Sequence, residues 1–171
     1  KLGNILPIYI WSDVGSDQFK IGKASQLYLH HSLESLDKSL EHNLNFYKGD
    51  PQKILTDLIQ KYNIKNVFCT RCYEPWHVAN DAEIEKTLTE LHVNFCIFNG
   101  SYLWQPENIK NEDGSYYKVF SAYKRKAYLF EPQKPLEKPK NLNLSKDASN
   151  PITLQDLNLI LDRSWERKIE S

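Results

Sequence analysis

The chain has 171 residues, 40% hydrophobic and 26% charged, the range of one globular domain long enough to bury a core. Its 22 Lys and Arg balance 22 Asp and Glu, so no global field draws in nucleic acid or an anionic membrane. Apolar runs such as 6–11 are too short to span a bilayer, no signal peptide is visible, and three cysteines are too few for a disulfide framework. A cytoplasmic protein in a reducing compartment, without a membrane partner, is expected. The absence of methionine and the early apolar strand are what a truncated chain, or unrecorded modified methionines, would produce.

In chain order, Leu6 to Trp11 predicts a buried strand, with Pro7 tolerated at its start. From Ser25 to His42, Leu29, Leu33, Leu36 and Leu40 recur at intervals of four, three and four, one stripe of a long helix. A short strand follows at Asn45 to Lys48. Gly49 and Asp50 make a turn in which Asp50 caps a helix begun by Pro51 and buried through Ile54, Leu55, Leu58, Ile59 and Tyr62. Asn66 to Thr70 reads as a parallel strand covered on both faces. Pro75 stops it, and a helix from His77 to Leu91 buries Ile84, Leu88 and Leu91. Asn94 to Phe98 is the last strand, closed by Asn99 and Gly100.

Strands alternating with helices imply parallel pairing by right-handed crossovers, hence an α/β, doubly wound sheet with helices on both faces. Residues 101–119 lack periodicity, Val119 to Phe130 predicts a short basic helix, and Glu131 to Pro151, with four prolines, predicts an extended linker rather than core. Thr153 to Ile169 has the pattern of a last amphipathic piece through Leu154, Leu157, Ile160 and Leu161.

In open α/β sheets ligands sit beyond the carboxyl ends of strands, so Arg71, Cys72, Tyr73 and Glu74 are the first candidates for a site. Cys69 and Cys72 have redox or zinc spacing, but no helix starts at the pair and no second ligand pair exists, so buried thiols are the expectation and no metal site is assigned. His30 and His31 are adjacent on a helix and do not converge on one ion. No glycine-rich phosphate loop or nucleophile elbow is present. Trp11, Tyr28, Tyr73, Trp76, Tyr102 and Trp104 offer planes for a flat heterocycle or, equally, ordinary core packing. Lys124, Arg125 and Lys126 read as a solvated face.

Several blocks, in order from Leu6 to Phe130, together resemble the amino-terminal domain of the DNA photolyase and cryptochrome family. They are Leu6 to Trp11, Tyr28 to Leu33 with Leu36, Gly49 to Pro51, Arg71 to Pro75 with Asp81, Phe98 to Ser101 with Leu103 and Trp104, and Tyr117 to Phe120; Leu157 to Trp165 resembles the family's linker. The resemblance implies a Rossmann-like antenna domain over residues 1–130 and a Pro/Lys-rich linker over 131–171 leading to a helical FAD domain outside this chain. It implies a parent enzyme, a deoxyribodipyrimidine photolyase or carbon–carbon lyase. There, excited reduced flavin splits cyclobutane pyrimidine dimers flipped from DNA. The fragment itself is then non-catalytic and monomeric, with its own FAD domain as partner and DNA bound through that domain. A cryptochrome photoreceptor and a stand-alone nucleotide-binding module are the alternatives.

By the same resemblance an antenna chromophore, a deazaflavin, flavin or folate, would be lined by Ile10, Trp11, Arg71, Cys72, Tyr73, Glu74, Asn99, Gly100 and Ser101. Two departures stand out. The family's first, central strand is absent ahead of Leu6, which leaves a hole in the sheet and edges prone to pairing. Trp76 and His77 occupy positions where folate-binding members carry Asn and Glu, which argues against folate held that way. For Arg71 and Glu74 the structural alternative is an ion pair with each other or with the following domain.

Overall fold

The computed structural model describes residues 3–12, 20–100, 102–132, 134–139 and 141–160. Its elements run β1 (Ile8–Trp11), α1 (Lys23–Ser39), β2 (Asn45–Lys48), α2 (Pro51–Tyr62), β3 (Asn66–Thr70), α3 (Pro75–Glu90), β4 (Asn94–Phe98) and α4 (Phe120–Ala127). Among the described residues no helix is long and apolar enough to cross a membrane.

Local chemistry fixes the helix boundaries. Asp50 Oδ1 accepts the Gln52 N–H at 2.9 Å and Pro51 holds the first helical position, so α2 begins where its sequence directs. It ends at Asn63, whose left-handed backbone (φ 51°) lets its N–H reach the Ile59 carbonyl. α1 stops short of the predicted His42: Glu41 and His42 take positive φ, and Asp37 accepts from the Leu44 N–H and bonds His42 Nδ1. Pro75, expected to stop a strand, also starts α3.

Pairing is parallel, as the element order demands. Ile8 to Trp11 align with Asn45 to Lys48, and Asn66 to Thr70 align with Asn94 to Phe98. Among the described residues the four strands form two two-stranded sheets, β1–β2 and β3–β4, with no strand joining β1 to β3.

Period-two alternation divides β1 between two cores. Tyr9 and Trp11 pack with Leu33 of α1, Leu44 and Phe46 of β2, and Leu154, Leu157 and Leu159. Ile8 and Ile10 face the other way, against Leu55, Ile59, Ile84, Leu88 and Val93 of the α2–α3 layer. β3 departs from the expected two-sided burial. Val67 packs toward α2 and α3, but Asn66, Phe68 and Thr70 are exposed, Phe68 at 48%, and among the described residues no helix covers that face; Phe68 stacks instead on exposed Phe98.

The segment expected as linker is the larger correction. Around Leu136, 88% exposed, it is extended and bare, but residues 143–159 are built into the domain. Ile5 donates to the Asn143 carbonyl and accepts from the Ser145 N–H, both at 2.8 Å. Asp147, 4% exposed, accepts from the Tyr47 hydroxyl (2.8 Å), the Tyr62 hydroxyl (2.7 Å) and the Lys61 ammonium (2.6 Å), while its N–H donates to Asn45 Oδ1. The short 3-10 turn Gln155–Leu157 then seats Leu157 in the core. Of the predicted last amphipathic piece, residues 161–169 lie outside the described residues.

Candidate functional site

The carboxyl ends of β3 and β4 form one rim. The Arg71 N–H donates to the Phe98 carbonyl at 2.8 Å, extending the pairing past both strands. Just beyond, the chain at Gly100 passes so close to β3 that a Cβ would lie 2.7 Å from Thr70 Cγ2, so any side chain there would force Thr70 to shift. Asn99 is engaged at both ends of its amide, donating to the Tyr102 carbonyl at 2.6 Å and accepting the Tyr102 N–H at 3.1 Å. That turn brings Tyr102 edge-on to Tyr73, with ring centroids 4.7 Å apart.

Tyr73 carries the least satisfied group on the rim. Its hydroxyl is buried and makes no hydrogen bond of normal geometry, with the Glu107 side chain close beside it. Burial first, and then the nearby Glu107 charge, raise its pKa, so the phenol stays a proton donor. Glu74 directs its carboxylate back to accept the Tyr73 N–H at 3.2 Å, rather than pairing with Arg71. Arg71 lies within electrostatic reach of Asp81, whose pKa is raised by burial against the opposing pull of His77 and Arg71. Against the expectation of buried thiols, Cys69 is half-buried and Cys72 exposed; both stay protonated at neutral pH, partial desolvation pushing Cys69 up to about 11 and, with Glu74 and Asp81, raising Cys72.

The structure therefore brings Arg71, Cys72, Tyr73 and Glu74 together with Asn99 and Gly100. Ile10 and Trp11 belong to the other sheet and turn to opposite faces of it. Ser101 lies outside the described residues. Glu107, on the 3-10 turn Pro106–Asn108, is the group that sequence reasoning missed; it falls in the aperiodic stretch 101–119, where no pattern marks it. Trp104 serves to fasten α4 beside the rim, its indole N–H donating to the Phe130 carbonyl at 3.0 Å and its ring lying 5.7 Å from that of Tyr128. The basic residues Lys124, Arg125 and Lys126 occupy the last turn of α4, where the helix dipole favours cations.

Chemically the rim offers recognition: an aromatic pair, an unpaired phenolic donor and an arginine. Residues 1–140 match the sequence profile of the DNA photolyase family. The chain belongs to that family. The deoxyribodipyrimidine photo-lyase of Agrobacterium fabrum is 30% identical over 84% of this chain and 30% of its own length. Cryptochrome-1 of Arabidopsis thaliana is 23% identical over 96% of the chain and 26% of its own. Among solved structures, a bacterial class III photolyase from Agrobacterium tumefaciens superposes with TM-score 0.86 at 27% identity, covering 98% of this chain and 35% of that one. An archaeal photolyase from Sulfolobus tokodaii, solved with two FAD molecules, shares the fold at TM-score 0.76 and 16% identity over 91% of this chain and 35% of its own. The chain spans roughly a third of the length of these photolyases, and matches the amino-terminal domain.

Proposed function

We propose that the chain is the light-harvesting domain of a deoxyribodipyrimidine photolyase, with the β3–β4 rim as the seat of an antenna chromophore. The observation that carries this is the joint sequence and fold match to the amino-terminal part of the Agrobacterium class III photolyase. In such a parent, FAD bound by a following helical domain supplies the light-driven electron that opens the two carbon–carbon bonds of a pyrimidine dimer in DNA.

This chain's own residues bind and orient. The Tyr73–Tyr102 pair offers an aromatic surface, and the unpaired Tyr73 hydroxyl awaits an acceptor, which fits a flat heterocycle carrying a carbonyl or ring nitrogen. Arg71 supplies positive charge to an acidic ring or tail. Glu74 keeps lone pairs for ribityl or ring donors, and Gly100 keeps the far rim low. With Trp76 and His77 where folate-binding members carry Asn and Glu, a deazaflavin or flavin suits the rim better than folate. The domain's partners are its own FAD domain and, through that, DNA.

The test uses the sign of two effects. Tyr73→Phe removes an unsatisfied buried hydroxyl, so it stabilises the chain without chromophore by about 1 kcal/mol. The same change weakens binding of deazaflavin or FAD about tenfold, one lost hydrogen bond. Fluorescence titration of both chains reads binding, and urea unfolding reads stability. Equal affinity of the two chains refutes the rim as the site. The second reading, a cryptochrome photoreceptor, is favoured by the Arabidopsis match. A full-length parent that binds flavin but repairs no dimer in blue light decides for it. Repair by the 171-residue chain alone would overturn the assignment of catalysis to another domain.

A further inference from the structure

The turn that follows β4 holds the one Asn–Gly pair in the chain, Asn99 and Gly100; every other asparagine precedes a residue that carries a side chain. Both members of the pair are constrained by their neighbours. A Cβ added at Gly100 would meet Thr70 Cγ2 at 2.7 Å. Asn99 Nδ2 donates to the Tyr102 carbonyl at 2.6 Å while its Oδ1 accepts the Tyr102 N–H at 3.1 Å, a combination that takes a side-chain amide and that a carboxylate cannot supply. Tyr102, so held, lies edge-on to Tyr73 with ring centroids 4.7 Å apart.

The same pair carries the parts of a reaction. Among the described residues the Gly100 N–H donates no hydrogen bond, and Gly100 is exposed while Asn99 is half-buried. With no Cβ at position 100, nothing beside that nitrogen screens its approach to Asn99 Cγ. The clamp on Tyr102 sets the barrier, because the amide has to release both bonds before it can swing back toward its own main chain. Both bonds are solvent-exposed and neutral, so water replaces them at little net cost and the turn opens locally without unfolding the domain.

We propose that Asn99 is a site of spontaneous deamidation, and that the modification uncouples Tyr102 from Tyr73. The Gly100 nitrogen, deprotonated by base, attacks Asn99 Cγ; the Cγ–Nδ2 bond breaks, ammonia leaves, and a cyclic succinimide forms between the two residues. Water then opens the ring at one carbonyl or the other, leaving aspartate or isoaspartate at position 99, with no oxidant or reductant involved. Either product lacks the Nδ2 donor, so a carboxylate oxygen faces the Tyr102 carbonyl where a 2.6 Å hydrogen bond stood. Isoaspartate also adds one methylene to the main chain between β4 and Tyr102. Both changes push Tyr102 away from its place beside Tyr73. The isoaspartyl carboxylate is a substrate for carboxyl methyl transfer, the class of reaction whose ester lets the succinimide close again. None of these steps needs a chromophore on the rim.

The experiment holds the 171-residue chain in mildly alkaline buffer at body temperature, beside a synthetic peptide of residues 94–104 that marks the unhindered rate. Trypsin releases one peptide from Thr87 to Lys110 that carries Asn94, Asn99 and Asn108, so mass spectrometry compares the three within one molecule. A protein isoaspartyl methyltransferase with a labelled methyl donor reads isoaspartate independently. Asn99 should convert while Asn94 and Asn108 stay intact, faster as pH rises, and the converted chain should lose the nuclear Overhauser contacts between the Tyr73 and Tyr102 rings. Asn99→Asp should lose those contacts from the start. The double variant Thr70→Ala/Gly100→Ala, in which the added methyl is given room and hinders the attack, should keep its amide. Three results overturn the proposal: Asn99 intact in the chain after the peptide has fully converted, conversion of the double variant as fast as that of the parent, or Tyr73–Tyr102 contacts retained in the converted chain or in Asn99→Asp.

Discussion

Replacing Asp147 by Asn tests how far the supposed linker is part of the domain. The carboxylate accepts from two tyrosine hydroxyls, at 2.8 and 2.7 Å, and from Lys61 at 2.6 Å. Hydrogen bonds to a buried charged acceptor are worth about 1.5–3 kcal/mol each. Lys61 is 41% exposed, so its share falls to the surface range of under about 1 kcal/mol. Asn keeps one acceptor oxygen and presents an NH2 where the second stood, so one tyrosine bond weakens and the other is lost. The expected cost is about 3 kcal/mol, or roughly 10 °C in Tm for a chain of this size. Urea unfolding followed by circular dichroism measures it. The pH dependence supplies a second reading. Burial opposes ionisation of Asp147, but bonds from Lys61, Tyr62, Ser149 and Tyr47 outweigh it and hold the folded pKa well below the carboxylate range. A depressed folded pKa stabilises fully above the unfolded value of about 3.9, and that contribution is lost as pH falls through the folded one. The gap between parent and Asp147→Asn therefore narrows from pH 5 downward. A variant within about 0.5 kcal/mol of the parent at pH 7, or a gap unchanged at about pH 2, would refute the reasoning.

Gly100→Ala puts a methyl 2.7 Å from Thr70 Cγ2 and should destabilise by about 1–3 kcal/mol, with Thr70→Ala restoring most of the loss in a double-variant unfolding experiment. Cys69, with its pKa pushed up to about 11, should resist iodoacetamide at neutral pH and react progressively faster as pH approaches that value, as mass spectrometry of the labelled peptide reports.

Local chemistry was legible and distant chemistry was not. Asp50 and Pro51 announced α2 because cap, first helical residue and apolar stripe lie within one short window. β2, β3 and β4 were legible from short apolar runs bounded by polar residues. The exposure of Phe68 was not, since an apolar strand residue looks the same whether or not a helix arrives to cover it. The linker was misjudged because prolines and lysines dominate its composition, whereas its place in the core depends on Asp147 meeting Tyr47, a partner 100 residues away. In the site, the rim residues Arg71 to Glu74 could be placed from the end of β3 alone. The split of Ile10 and Trp11 onto opposite faces follows from strand alternation and was there to be seen. The Tyr73–Glu107 proximity joins a strand end to an aperiodic loop, and nothing in either stretch encodes the other.

The order in which the chain is synthesised gives the strap from Asn143 to Leu159 a further consequence. Phe46 and Leu44 are made early, but the leucines that cover them, at 154, 157 and 159, follow more than a hundred residues later. At ribosomal speeds of about 5–20 residues per second, that core stays open for about 6–20 s after β2 has been made. The α2–α3 layer, whose partners all lie between Ile8 and Phe95, can close well before. The nascent domain thus carries a bare leucine and phenylalanine face until its own last segment arrives, a window in which a chaperone has more to hold than at any later stage.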